Sequence, residues 1–176
     1  MNEPPTDLVT EESIATYLAG PPPENAEFDF LLGRWTTETI RYAPDGQVRR
    51  RQPGRWIARP LHGGRIVLDE TLSYDAKGRE IASMATLRSY APATRQWEMT
   101  FVVAHQPMLP LRFVARRVGD EMHGQATLLS EGARGFHARI RFFEIRKDSF
   151  AWAQEMSLDG GTKYIRTVEI RAKREG

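Results

Sequence analysis

A chain of 176 residues with 40% hydrophobic and 27% charged side chains is sized for one globular domain with a substantial core, and its composition is not that of a disordered segment. It contains no cysteine, which excludes disulfide staples, thiolate nucleophiles and cysteine-ligated metals and leaves stability to packing. The net charge of +2 and a pI near 9.1 are only mildly basic, with arginines scattered among acids, so no nucleic-acid partner is expected.

The opening stretch Met1-Asn2-Glu3-Pro4-Pro5-Thr6-Asp7 is acidic and lacks the basic and apolar regions of a secretory signal. No apolar run approaches membrane-spanning length, so the expectation is a cytoplasmic protein with no membrane partner. Thr10 to Ala19 predicts a short helix, with a Thr start, acids in the first turn and Gly20 as the stop. Ile14, Tyr17 and Leu18 give it one apolar stripe, suited to the chain's own body or to a second subunit in a homodimer. Pro21-Pro22-Pro23 forms a stiff spacer that cannot be helix interior. The apolar run Phe28 to Leu32 then suits a helical turn, Gly33 makes a corner, and Thr36, Thr37 and Thr39 favour a strand because β-branched side chains suit a pleated surface. In a closed antiparallel barrel, a large ring two residues after that glycine seals one end from inside; Trp35 is the expected seal. Residues 1–27 therefore read as a helix and Pro-rich spacer, and 28–176 as the barrel.

From Gly33 onward turn residues recur at the spacing of an antiparallel meander: Pro44-Asp45-Gly46, His62-Gly63-Gly64, Asp75-Ala76-Lys77-Gly78, Pro92-Ala93-Thr94, Gly119-Asp120 and Asp159-Gly160-Gly161. Between them about ten strands are predicted, at 34–42, 47–58, 65–74, 79–90, 95–104, 111–118, 121–130, 135–146, 149–157 and 163–173. Alternation assigns faces. Ile66, Leu68, Glu70, Leu72 and Tyr74 share one in the third strand, and Trp97, Met99, Phe101, Val103 and His105 share one in the fifth; both are read as inward. Phe150, Trp152, Gln154 and Met156 alternate in the ninth strand, as do Tyr164, Arg166, Val168 and Ile170 in the tenth. Pro107 and Pro110 interrupt the ladder and mark an apolar rim loop, a lid or a dimer contact. Arg49-Arg50-Arg51 sits beside a hairpin and reads as a solvated loop.

Phe28-Asp29-Phe30-Leu31-Leu32-Gly33-Arg34-Trp35, opening a long run of strands, and Trp152-Ala153-Gln154-Glu155-Met156-Ser157-Leu158-Asp159-Gly160-Gly161, closing it, resemble motifs of the calycins: lipocalins, fatty-acid-binding proteins and a bacterial branch of lipocalin-like barrels. The resemblance covers 28–174 and implies an all-β, antiparallel lipocalin-like (calycin) barrel. Some barrels of that superfamily bind haem through a histidine. Here Gly-x-Trp lacks the further glycines of the haem-binding branch and the last strands contain no histidine, so no cofactor is expected.

The chemistry-bearing candidates are Glu70, His105, Gln154 and Arg166, polar residues on otherwise apolar faces that need partners if buried. Either Glu70 pairs with Arg166 or another arginine as a structural ion pair, or Glu70, Gln154 and Arg166 orient a ligand, and a bulge would turn any of the four outward. His105 is the best acid–base candidate; His62, His123 and His137 read as exposed. No metal-ligand spacing, Gly-x-Ser-x-Gly, phosphate loop or dinucleotide fingerprint occurs. Trp35, Trp56, Trp97 and Trp152, with Phe101 and Phe113, are cavity lining or core, and a ten-stranded barrel leaves more room than an eight-stranded one. Three readings follow: a barrel that binds a small apolar or aromatic ligand, a barrel enzyme of isomerase, hydratase or hydrolase type moving a proton with Glu70 or His105, and a filled barrel serving dimerisation.

Overall fold

The computed structural model describes residues 9–104, 111–127, 137–157 and 159–176. Ten strands follow one another: β1 (Gly33–Tyr42), β2 (Val48–Leu61), β3 (Ile66–Tyr74), β4 (Glu80–Ala91), β5 (Gln96–Val103), β6 (Leu111–Val118), β7 (Glu121–Thr127), β8 (His137–Phe143), β9 (Ser149–Ser157) and β10 (Ile165–Arg174). Each pairs antiparallel with its neighbours in sequence, and β1 also pairs with β10, from Trp35 opposite Arg174 to Arg41 opposite Val168. The sheet thus closes into a ten-stranded barrel with no free edge. The expected all-β barrel is what forms, on strands within a few residues of those predicted. β8 stops at Phe143 because Glu144 adopts a left-handed backbone, φ 52°, that opens the turn into β9.

The predicted helix is α1 (Glu11–Leu18). Thr10 Oγ1 accepts from Ser13 N at 3.1 Å, and Ser13 Oγ accepts from Thr10 N at 2.9 Å, a reciprocal cap that satisfies two otherwise orphaned donors. Its stripe of Ile14, Tyr17 and Leu18 is exposed. Arg65 ties it to the barrel: its guanidinium stacks 4.1 Å from the Tyr17 ring centroid and donates to the Tyr17 carbonyl. Among the described residues no helix is long and apolar enough to cross a membrane.

A 3₁₀ helix, Pro23–Leu31, carries the chain across one end of the barrel, with proline at its first position, where a missing N–H costs nothing. Phe28 and Leu31 are fully buried, and Phe28 meets Trp97 edge-on at 4.7 Å. Trp35 is also fully buried and donates its indole N–H to the Leu31 carbonyl at 2.8 Å. Arg174, at the end of β10, completes the seal. Its guanidinium lies 4.0 Å from the Trp35 ring centroid and donates to the Leu32 carbonyl at 2.8 Å and, through Nε, to the Lys147 carbonyl at 2.9 Å. Gly33 makes this possible: its φ of +115° disfavours other residues, and a Cβ there would come within 2.6 Å of the Arg174 guanidinium.

At the opposite end the β9–β10 turn is held by side chains. Ser157 Oγ donates to Asp159 Oδ1 at 2.6 Å, and the same oxygen accepts from the Lys163 N–H at 2.9 Å. Those hydrogen bonds hold the Asp159 carboxyl below its usual range.

Trp35→Ala is expected to cost about 3–5 kcal/mol in urea denaturation, the range for a deleted, fully buried aromatic ring. A loss under about 1 kcal/mol would show that the ring does not seal the barrel.

Candidate functional site

The inward side chains of the ten strands divide the interior into two halves. Toward the 3₁₀ helix it is filled: Phe28, Trp35, Trp97, Met99, Phe142 and Phe150 are all buried in one cluster. Toward the other end a cavity of about 320 Å³ remains, at the small end of the range for ligand pockets. Its apolar lining comes from Trp56, Met84, Phe101, Val103, Phe113, Trp152, Val168 and Ile170, and its polar lining from Thr37, Thr39, Arg41, Thr71, Ser73, Ser83 and Gln154. Gly54 keeps part of the wall thin, since a Cβ there would run into the Leu72 carbonyl and lie 2.7 Å from Thr37 Oγ1.

Trp56 stands at the boundary between the halves. It packs against Phe150 at 5.4 Å and Trp152 at 6.3 Å, and its indole N–H donates to Asp69 Oδ1 at 2.8 Å. Asp69 and Arg88 are each 1% exposed and form an ion pair in the middle of the barrel. The Arg88 guanidinium also lies 5.2 Å from the Phe28 centroid and 5.7 Å from that of Phe142, so rings of the filled half flank the cation. Burial pulls the Arg88 guanidinium well below its ordinary value, to about 9; the Asp69 carboxylate against it favours the charged form, and at neutral pH Arg88 is a cation. Arg88 Nε and Thr86 Oγ1 are buried without a hydrogen-bond partner among the described residues.

Several expectations from the sequence change here. β3 is turned the other way: Val67 and Asp69 are buried inside, with Thr71 and Ser73 beyond them, while Glu70 is exposed on the outer wall. The register explains why. Trp56 pairs with Thr71 and Ala58 with Asp69 across β2–β3, which brings Asp69 under the Trp56 indole, whereas Leu68 finds apolar company outside, opposite Leu87. Glu70 therefore has no access to the cavity and makes no pair with Arg166. Arg166 also points outward, because the β9–β10 register shifts between Arg166 and Val168; the bulge flips the face. Outside, Arg166 pairs with Glu169 at 2.7 Å.

Of the aromatic residues singled out, Trp56, Phe101, Phe113 and Trp152 line the cavity, whereas Trp35 and Trp97 belong to the filled half. Gln154 lines it and accepts from Thr167 Oγ1 at 3.2 Å. His105 and the rim loop lie outside the described residues. His62, His123 and His137 lie on the outer surface, and among the described residues no cluster of acids and histidines is placed to hold a metal ion.

The sequence matches no protein-family model and no curated protein. Solved structures do resemble the barrel. Rv2717c from M. tuberculosis superposes with a TM-score of 0.63 at 12% identity, over 89% of this chain and 99% of that one. The S-type phycobiliprotein lyase CPES from Guillardia theta superposes at 0.56 and 11% identity, again over 89% and 99%. The fold is that of a lipocalin-like barrel. At such identities the likeness extends to the fold and no further.

Sequence reading missed the threonine and serine wall of this barrel, and it missed the Asp69–Arg88 pair. The other phase of β3, Val67-x-Asp69-x-Thr71-x-Ser73, carried a usable signal: small and β-branched residues around one acid suit a cavity wall better than an exposed face.

Arg88→Met is expected to cost about 3–5 kcal/mol at pH 7, since it strands a buried carboxylate. The unpaired Asp69 is then raised above its unfolded value of about 3.9, so the penalty is full above the raised pKa and shrinks as pH falls through it. Urea melts at pH 7 and pH 5 should show the variant recovering relative to wild type at the lower pH, and Asp69→Asn should rescue Arg88→Met. Equal loss at both pH values, with strictly additive single variants, would contradict the pairing.

Proposed function

We propose that the protein binds a small apolar or aromatic molecule in the open half of its barrel. The observation that carries this reading is the cavity of about 320 Å³, floored by Trp56 and walled by Trp152, Phe101 and Phe113 on one side and by threonine and serine hydroxyls on the other. Apolar lining with a few convergent polar groups is the general form of a small-molecule site. A barrel of this fold serving as a phycobiliprotein lyase in Guillardia theta is in keeping with it.

Among the described residues the one ionisable side chain lining the cavity is Arg41. An arginine stays protonated and is a poor proton carrier, and Glu70 is on the outer wall, so the lining supports binding over acid–base catalysis. The filled-barrel reading does not fit the open half.

A neutral fluorescent probe, phenylnaphthylamine, should bind the folded protein at one site. Thr71→Phe, which places a ring in the cavity, should weaken that binding by about tenfold or more while leaving the urea midpoint near wild type, because the void has room for the ring. Native mass spectrometry of the protein as purified gives a second reading. A wild-type protein that binds no probe, or a Thr71→Phe protein that binds it unchanged, would reject the interior site.

A further inference from the structure

Arg41 and Arg50 are direct cross-strand partners on β1 and β2. Each continues the inward face of its strand: Trp35, Thr37, Thr39 and Arg41 on one, Trp56, Gly54, Gln52 and Arg50 on the other. Arg41 lines the cavity. Arg41 and Arg50, with Arg49 beside them, line a rim depression of about 360 Å³ that shares Arg41, Gln154 and Val168 with the cavity, so the two spaces adjoin.

Like charges directly opposite on adjacent strands repel. Neither arginine makes a hydrogen bond or ion pair among the described residues, whereas outward-facing Arg51, next in the same strand, is paired with Glu38 at 2.7 Å. Asp75, whose carboxyl is lowered first by hydrogen bonds from Arg79 and last by the charge of Arg50, is already engaged by Arg79 at 2.7 Å. Two guanidinium groups on partner strands, with roots about 4.5–5.5 Å apart, can close on one carboxylate, sulfonate or phosphate from two sides.

We infer that the ligand is an amphipathic anion, with an apolar or aromatic body against Trp56 and Trp152 and a single anionic head group clamped at the cavity mouth by Arg41 and Arg50. This rests on the interior-binding reading above and adds the head group to it. Six residue steps along β2, about 20 Å of extended chain, take Arg50 to Trp56, so the molecule is elongated, with its charge at one end. Bound this way, it relieves the repulsion between the two arginines.

Two probes that share an aromatic body and differ in one charge test the assignment: anilinonaphthalene sulfonate and neutral phenylnaphthylamine. Wild-type protein should bind the sulfonate at least about tenfold more tightly, and added salt should weaken the sulfonate alone. The double variant Arg41→Gln, Arg50→Gln should lose about tenfold or more in sulfonate affinity and leave the neutral probe within about twofold. Arg51→Gln, which removes one outward charge nearby, should change neither. Both arginines are exposed, so a urea midpoint at or above wild type is expected for the double variant. An unchanged ratio of the two affinities in the double variant, or an equal drop in Arg51→Gln, overturns the clamp while neutral-probe binding leaves the interior site standing. Failure of wild type to bind either probe overturns both.

Discussion

A carboxylate in the middle of a barrel is costly unless it is paired, and the interior of this protein is arranged around Asp69. Asp69 takes the Arg88 cation on one oxygen and the Trp56 indole N–H on the other. That fixes the Trp56 ring across the barrel, and the ring is the floor of the cavity. Arg88 in turn lies beside Phe28 and Phe142, whose cluster is the filled half. The ion pair thus links a solid half to a hollow one. Replaced by well-packed apolar residues, such a pair often leaves stability unchanged or improved. Its role here is positional: it sets where the packing stops.

The plug at the closed end follows a related logic. Trp35 is held by a carbonyl below and a guanidinium above, and both come from chain segments outside β1: Leu31 from the 3₁₀ helix and Arg174 from the last strand. The beginning and the end of the barrel are therefore tied at one point, where β1 and β10 also close the sheet. Gly33 is the residue that permits the approach. Arg41 and Arg50 lie toward the opposite end, and among the described residues the aromatic floor lies deepest from it.

The polar wall has a chemical consequence of its own. Thr37, Thr39, Thr71 and Ser73 offer hydroxyls that can donate or accept, so they tolerate a range of polar substituents on a bound molecule. The aromatic wall opposite supplies contact area without a directional demand.

Local chemistry was enough to determine the elements of this protein. Period-two alternation, Gly and Asp turns at regular spacing, the Thr10–Ser13 cap and the Gly33–Trp35 corner all act over a few residues, and each strand, the helix and the plug were legible from them. Alternation defines two faces of a strand but not which one looks inward, and that choice belongs to the register with the neighbours. In β3 the leucine-rich face went outside because Trp56 needed Asp69 beneath it. In β10 one bulge after Arg166 put Val168 and Ile170 inside and Arg166 out, where Glu169 holds it. Whether a tryptophan is core or cavity floor, as Trp97 and Trp56 divide, depends on its depth along the barrel, and the confrontation of Arg41 with Arg50 exists only once β1 and β2 are paired. These are non-local distances, and only the closed sheet decides them.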